Sequence, residues 1–393
     1  MINQTNVRYG TTRSVIRELF EYGKKRKAEI GEDNVFDFSI GNPSVPAPEA
    51  VKKQLIKIIE ETDPVVLHGY TSAQGDNAVR KAIADDLKLR FNAPVTPDFI
   101  YMTCGASASV SIALNALLNR GDEVITFAPF FPEYSVFVAN AGGVLKPAKA
   151  TPDFLPDLNS LKQLLNDKTK VVIVNSPNNP SGVVYGEEVI KAIAEVLTQH
   201  EKKTGNRVYI VSDEPYRELV YGGVKVPFTM NYYPYTLTCY SFSKVLSLPG
   251  ERIGYVAVNP LMQGANEVYA GVCGAGRALG YVCAPALFQR LVASTLGVTS
   301  DLSVYETNRN LLYEALKSYG YEVIMPNGAF YLFVKVPDKS AMAFAERAKK
   351  YELLLVPSDS FGVEGCVRIS YCVSRAMIEK SLPAFKALME SYK

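Results

Sequence analysis

Histidine is nearly missing from this 393-residue chain, which carries only His68 and His200. A multi-histidine metal centre is thereby excluded, and a Ser-His-Asp triad would have to use one of these two residues. The proton carrier of an acid–base enzyme would then be a lysine, a carboxylate or a tyrosine. An excess of charge of one sign is missing too. The formal net charge is +2, and the only basic run, Lys24 to Lys27, reads as the solvated face of a helix, so no nucleic-acid partner is expected. No apolar stretch approaches the eighteen or so residues of a membrane span, and no membrane association is expected. The N-terminal Met-Ile-Asn-Gln-Thr-Asn lacks the basic and apolar regions of a secretory signal. The six cysteines, at 104, 239, 273, 283, 366 and 372, have no paired spacing. Free thiols in a reducing cytoplasm are the expectation.

What is present has the texture of an α/β enzyme. From about residue 98, short apolar strands (123–127, 171–175, 208–212, 236–240 and 253–258) alternate with amphipathic helices such as 187–200. This alternation predicts a three-layer large domain with a mostly parallel sheet covered on both faces, and a ligand site at the carboxyl ends of its strands. The last ninety-odd residues change character. A helix with Leu311, Leu312 and Leu316, strands near 330–336 and 366–371, and a closing helix predict a smaller α+β domain. Residues 1–48 are expected to form an arm packing on it, with 49–300 the large domain and 301–393 the small one.

Several of the strands end in a polar cluster. After the strand at 236–240 comes Ser241-Phe242-Ser243-Lys244, with Arg252 eight positions beyond Lys244. A lysine at the mouth of a sheet, with Ser241 and Arg252 able to hold an anion beside it, suits covalent capture of a phosphorylated aldehyde. Thr103-Cys104-Gly105-Ala106-Ser107 opens a helix whose N-terminus would favour a phosphate, though small residues also simply cap helices. Phe130-Phe131 offers a ring for stacking, or merely core. Asn178-Asn179-Pro180 gives either a stiff loop with aimed amides or a plain β-turn. Asp213, in Asp213-Glu214-Pro215-Tyr216, is either a buried acid able to keep a ring nitrogen protonated or a helix cap. Arg368 lies on a short apolar strand, where it could grip a carboxylate with both nitrogens or face water from an edge.

Together these runs resemble the class I/II pyridoxal-phosphate-dependent aminotransferases, the aspartate aminotransferase superfamily of fold type I. The resemblance extends from Ser39-Ile40-Gly41-Asn42-Pro43 to Arg368. It implies pyridoxal 5'-phosphate as cofactor, Lys244 as its Schiff-base lysine and proton shuttle, and Asp213 and Tyr216 as catalytic partners. Gly105, Ala106, Ser107, Ser241 and Arg252 would hold the phosphate, Phe131 would stack on the ring, and Pro215 would cover the opposite face. Asn179 would share the phenolic oxygen with Tyr216. Tyr70 would reach the phosphate of the neighbouring subunit, in a homodimer with shared sites. Gly41, Asn179, Arg368 and Tyr134 would surround the substrate. No residue is expected to bind a metal.

The implied reaction is ping-pong transfer of an amino group between an L-amino acid and a 2-oxo acid. The same fold also serves β-eliminating C–S lyases and decarboxylases, because the cofactor carries the chemistry. A non-catalytic effector-binding module would need a DNA-binding extension, for which no room is expected before Gly41. Position 107 is serine, where some dicarboxylate-using relatives have lysine; Arg277 is a candidate replacement cation from the partner subunit. Finally, Gly274-Ala275-Gly276-Arg277-Ala278-Leu279-Gly280 brushes against a dinucleotide fingerprint, but its last glycine comes one position late and nicotinamide binding is not expected.

Overall fold

Neighbouring residues along the central strands point to opposite faces of the sheet, and both sets are apolar. Val124, Val171, Ile173 and Val211 pack against the helices Ala106–Leu117 and Ala265–Ala278. Their sequence neighbours Ile125, Val172, Val174 and Ile210 pack against the helix Glu187–Thr204 on the other side. Burial on both faces makes three layers. It also means that a one-residue slip would not be penalised by exposure of apolar side chains. Polar strand ends supply register instead: Asn175 lies opposite Asp213, and its Nδ2 donates to the Asp213 carbonyl at 2.9 Å.

The computed structural model describes residues 2–11, 14–338 and 340–393. The first strand, β1 (Phe36–Asp37), follows two helices, Gln4–Thr11 and Val15–Ile30. The large sheet is built from β2 (Ile100–Thr103), β3 (Glu123–Phe127), β4 (Val144–Ala148), β5 (Thr169–Asn175), β6 (Tyr209–Asp213), β7 (Thr236–Ser241) and β8 (Gly254–Val258), in the order β2-β8-β7-β6-β5-β3-β4. The β3–β4, β3–β5, β5–β6 and β6–β7 pairs are parallel, whereas β8 is antiparallel to both β7 and β2. The sheet is therefore mostly parallel, as the alternation of strand and helix predicts. Two of its strands escape the sequence pattern. β4 is an edge strand carrying Pro147 and the half-exposed Val144, a composition tolerated only at an edge. β2 is four residues long, too short to show a period.

The C-terminal part adds β9 (Glu322–Val323), β10 (Tyr331–Lys335), β11 (Leu353–Leu354), β12 (Val356–Pro357) and β13 (Cys366–Ser370). Four of these form an antiparallel sheet in the order β12-β13-β10-β9. Its apolar face packs with the helices Leu302–Tyr319 and Arg375–Glu390 around Phe330, Leu332 and Ile369. The N-terminal segment is fastened to this smaller unit. β1 pairs with β11, Leu19 packs with Phe333 and Phe361, and Arg26 binds Glu352 at 2.6 Å. The class is thus α/β, a large mostly parallel sheet with a smaller α+β unit that takes in the N-terminal segment.

Candidate active site

The strands β5, β6 and β7 run together, and β2, antiparallel to β8, shares their direction. Their last residues, Thr103, Asn175, Asp213 and Ser241, therefore lie along one edge of the sheet. A cavity of about 270 Å³ opens there, between the two units.

One corner of the cavity suits an anion. Gly105, with φ +86°, turns the chain from β2 into the helix that begins at Ala106, and no side chain caps that helix. A Cβ at Gly105 would also stand 2.7 Å from Nη2 of Arg252, so both the backbone conformation and the close approach require glycine. The Arg252 guanidinium is held by the carbonyls of Pro249 at 2.8 Å and Cys104 at 3.2 Å. The hydroxyls of Ser241 and Ser243 lie 2.5 Å apart, and Ala106, Ser107, Ser241 and Arg252 all line the cavity. A cation, hydroxyls and a helix N-terminus converge there.

Lys244 follows β7 and lines the same cavity. Its Nζ donates to the Gly41 carbonyl at 2.8 Å and lies 5.5 Å from the Phe330 ring. Among the described residues it has no carboxylate partner. Burial lowers its pKa to about 8, and Arg252 and Arg368 add to the effect. A substantial neutral fraction near physiological pH makes this amine a nucleophile and a base.

Asp213 is buried, and burial pushes its pKa up to about 7 against the opposing hydrogen bond from Tyr134. That bond, from the Tyr134 hydroxyl to Oδ2, measures 2.5 Å. Oδ1 is buried with no partner among the described residues. Tyr134, expected beside the substrate, thus lines the cavity while spending its hydroxyl on Asp213. The helix-cap reading of Asp213 is set aside by this placement, since its carboxylate caps no helix among the described residues.

Also lining the cavity, the Tyr216 hydroxyl meets that of Tyr331 at 2.9 Å. Arg368 lies on β13, which is flanked on both sides by β12 and β10 and is not an edge strand. Its Nη1 donates to Asn179 Oδ1 at 3.1 Å and its Nη2 to the Ser39 carbonyl at 2.6 Å, while Nε is buried without a partner. Asn179 is oriented in turn by a bond from its backbone N–H to Asn175 Oδ1 at 2.9 Å. Phe131 and Pro215 also line the cavity, as does Gly41. Phe130, the other ring of the pair, is core and packs over Gly362.

Two of the expected site residues stand apart. Tyr70 is 95% exposed and Arg277 is exposed near the end of its helix; neither lines the cavity. The Gly274–Gly280 run lies in and just after that helix rather than in a strand-to-helix turn, which disposes of the dinucleotide reading. Ile16, Phe137 and Tyr331 line the cavity without having been singled out by sequence. The aromatic pair Phe330-Tyr331 opening a strand was a usable signal for the last; nothing local marked Ile16. Among the described residues no group of His, Cys, Asp or Glu is arranged to hold a metal.

The family model "Aminotransferase class I and II" matches residues 33–385. An aspartate aminotransferase of Thermotoga maritima is 30% identical over 385 residues, covering 96% of this chain and 97% of that protein. Among solved structures, an amino transferase from Eubacterium rectale is 52% identical with a TM-score of 0.98, covering 100% of this chain and 99% of the other. Aspartate aminotransferase from Thermus thermophilus with maleate is 25% identical with a TM-score of 0.87, covering 99% and 100%.

Proposed function

The chain belongs to the class I and II family of pyridoxal-phosphate-dependent aminotransferases, and on that premise we propose a ping-pong exchange of an amino group between an L-amino acid and a 2-oxo acid, with Lys244 as cofactor-binding lysine and proton shuttle. The observation that carries the reading is the convergence on one cavity of Asp213 and Lys244, from the ends of neighbouring strands, and Arg368, from the smaller unit. The residues present fit pyridoxal phosphate. Asp213 Oδ1 is buried and unpartnered, as a carboxylate awaiting a ring nitrogen would be, and Arg252, Ser107 and Ser241 make a phosphate corner. When bound, pyridoxal phosphate supplies an electron sink for the substrate's α-carbon.

The chain's own residues divide the remaining work. Lys244, neutral for much of its time near pH 8, can hold the cofactor's aldehyde and later take the α-proton on Nζ. Asp213 would keep the ring nitrogen protonated, Tyr216 and Asn179 would bind the phenolic oxygen, and Phe131 and Pro215 would hold the two faces of the ring. Gly105, Ala106, Ser107, Ser241 and Arg252 would hold the phosphate. Arg368, with Gly41 and Asn179 beside it, grips the substrate α-carboxylate, while Tyr134 serves the site through Asp213 and borders the substrate. Low dielectric around Arg368 strengthens that grip.

A homodimer with shared sites completes the reading. The almost complete exposure of Tyr70, near the exposed Val65 and the more than half-exposed Val66, supports a covering partner whose phosphate Tyr70 reaches. Arg277 would enter the partner's cavity. We assign residues 1–48, 49–300 and 301–393 to arm, large and small domains, and a cytoplasmic location. No helix among the described residues is long and apolar enough to cross a membrane. A panel of amino donors against pyruvate and 2-oxoglutarate tests the function. Transfer requires an acceptor, whereas pyruvate release without one would mark a lyase. Lys244→Ala should lose both the absorbance of covalently held cofactor and turnover.

A further inference from the structure

The hydroxyl of Tyr331 stands where three parts of the site meet. It lies 2.9 Å from the Tyr216 hydroxyl, and both side chains are buried. It also fills the space beside Gly41, where a Cβ would come within 2.1 Å of it. Glycine at 41 is therefore demanded by Tyr331, and Gly41 is the residue whose carbonyl receives Lys244. The Tyr331 ring lies beneath Arg368, whose guanidinium carbon is 4.7 Å from the ring centroid. A phenol that donates its own proton to a partner becomes a stronger donor when its oxygen accepts another hydrogen bond. Tyr216 and Tyr331 have each other as their only hydroxyl partners among the described residues. With the Tyr216 proton directed to the cofactor's phenolic oxygen, the Tyr216 oxygen is left to accept, so Tyr331 is the donor in the pair.

We propose that Tyr331 is a positioning residue that makes Tyr216 a stronger and better-aimed hydrogen-bond donor, while its ring seats Arg368. The proposal rests on the assignment of Tyr216 to the cofactor's phenolic oxygen. The test is a pH titration of the cofactor absorbance in the intact holoenzyme and in Tyr331→Phe, Tyr216→Phe and the double variant. Losing one neutral hydrogen bond relayed through Tyr216 should raise the midpoint in Tyr331→Phe by about half a pH unit. The change should vanish in the Tyr216→Phe background, because the two residues act in series. The Michaelis constant for the amino donor should stay within about twofold in Tyr331→Phe, which keeps the ring, and rise at least fivefold or so in Tyr331→Leu, which does not. An unmoved midpoint in Tyr331→Phe alongside a moved one in Tyr216→Phe overturns the proposal, as does a shift that adds fully in the double variant. An unmoved midpoint in Tyr216→Phe itself strikes the underlying assignment instead.

Discussion

The Tyr134 phenol donates to Asp213 Oδ2 across 2.5 Å, and neither side chain has more than a trace of exposed surface. The bond favours the charged carboxylate, while burial favours the neutral acid, and burial is the larger effect. Tyr134 is therefore needed to keep Asp213 available as an anion. A hydrogen bond to a charged acceptor contributes about 1.5–3 kcal/mol. Tyr134→Phe should weaken pyridoxal phosphate binding roughly tenfold or more on that scale. Titration of cofactor-free protein with the cofactor measures it, and unchanged affinity would remove Tyr134 from the site's machinery.

The same carboxylate should leave a mark on stability before any cofactor is bound. Asp213 titrates near pH 7 in the fold and near 3.8 in an unfolded chain. Between those values the folded protein binds a proton that the unfolded chain does not, so this contribution is full below pH 4 and is lost as pH rises through 7. The shift of about three pKa units corresponds to ~4 kcal/mol at most. Urea unfolding of cofactor-free protein from pH 4 to 8 should show a downward contribution that Asp213→Asn lacks. Parallel curves for the two proteins would count against a buried, titrating Asp213.

How much of this could be read from the sequence follows from the reach of each signal. The strands at β3, β5, β6, β7 and β8 announce themselves because both faces are apolar, and the polar clusters after three of them mark the site edge. The antiparallel course of β8 was not visible: nothing in Gly254–Val258 records its direction, which depends on the short return from β7. The two readings left open for Arg368 were separated only by pairing, since nothing in Cys366–Ser370 marks the strand as edge or interior. Tyr134 illustrates another limit. The family resemblance put it beside the substrate, but the partner of its hydroxyl lies 79 positions away. Ile16 enters the cavity through tertiary packing alone.

Lys244 supplies a third prediction. A buried amine with pKa near 8 should capture pyridoxal phosphate at a rate that climbs with pH and levels off above about 8. An ordinary lysine would keep accelerating past pH 10. Rapid-mixing absorbance on cofactor-free protein follows the reaction, and borohydride trapping identifies the residue. A rate still rising at pH 10 would show that Lys244 is not depressed in the fold.

Arg368 can be tested by separating charge from geometry. Its two terminal nitrogens form a fork held by Asn179 and Ser39, and removing one partner of a buried charged contact typically costs about 2–5 kcal/mol. Arg368→Ala should raise the Michaelis constant for an amino donor about a hundredfold, and Arg368→Lys should recover only part of the loss, because an ammonium lacks the fork. Equal performance of lysine and arginine would refute two-pronged carboxylate binding.

Arg277 decides a question of substrate class. The cations lining the cavity are Lys244, Arg252 and Arg368, each already assigned to the cofactor or the α-carboxylate, and position 107 is serine. A second carboxylate on the substrate would therefore need a cation from elsewhere. Arg277 is exposed, has no ion-pair partner among the described residues, and lies in the last turn of the helix Ala265–Ala278. A partner subunit would meet it without first breaking an ion pair. If it serves the partner's cavity, Arg277→Ala should cut activity toward aspartate and glutamate by about ten- to a hundredfold, the range for losing one charge-assisted contact. Neutral amino donors should be spared, since they place no charge at that end of the pocket. Measuring kcat/KM for both donor classes in the same preparations separates this from a general loss of folding, and an unchanged ratio between them would leave Arg277 a surface or interface charge.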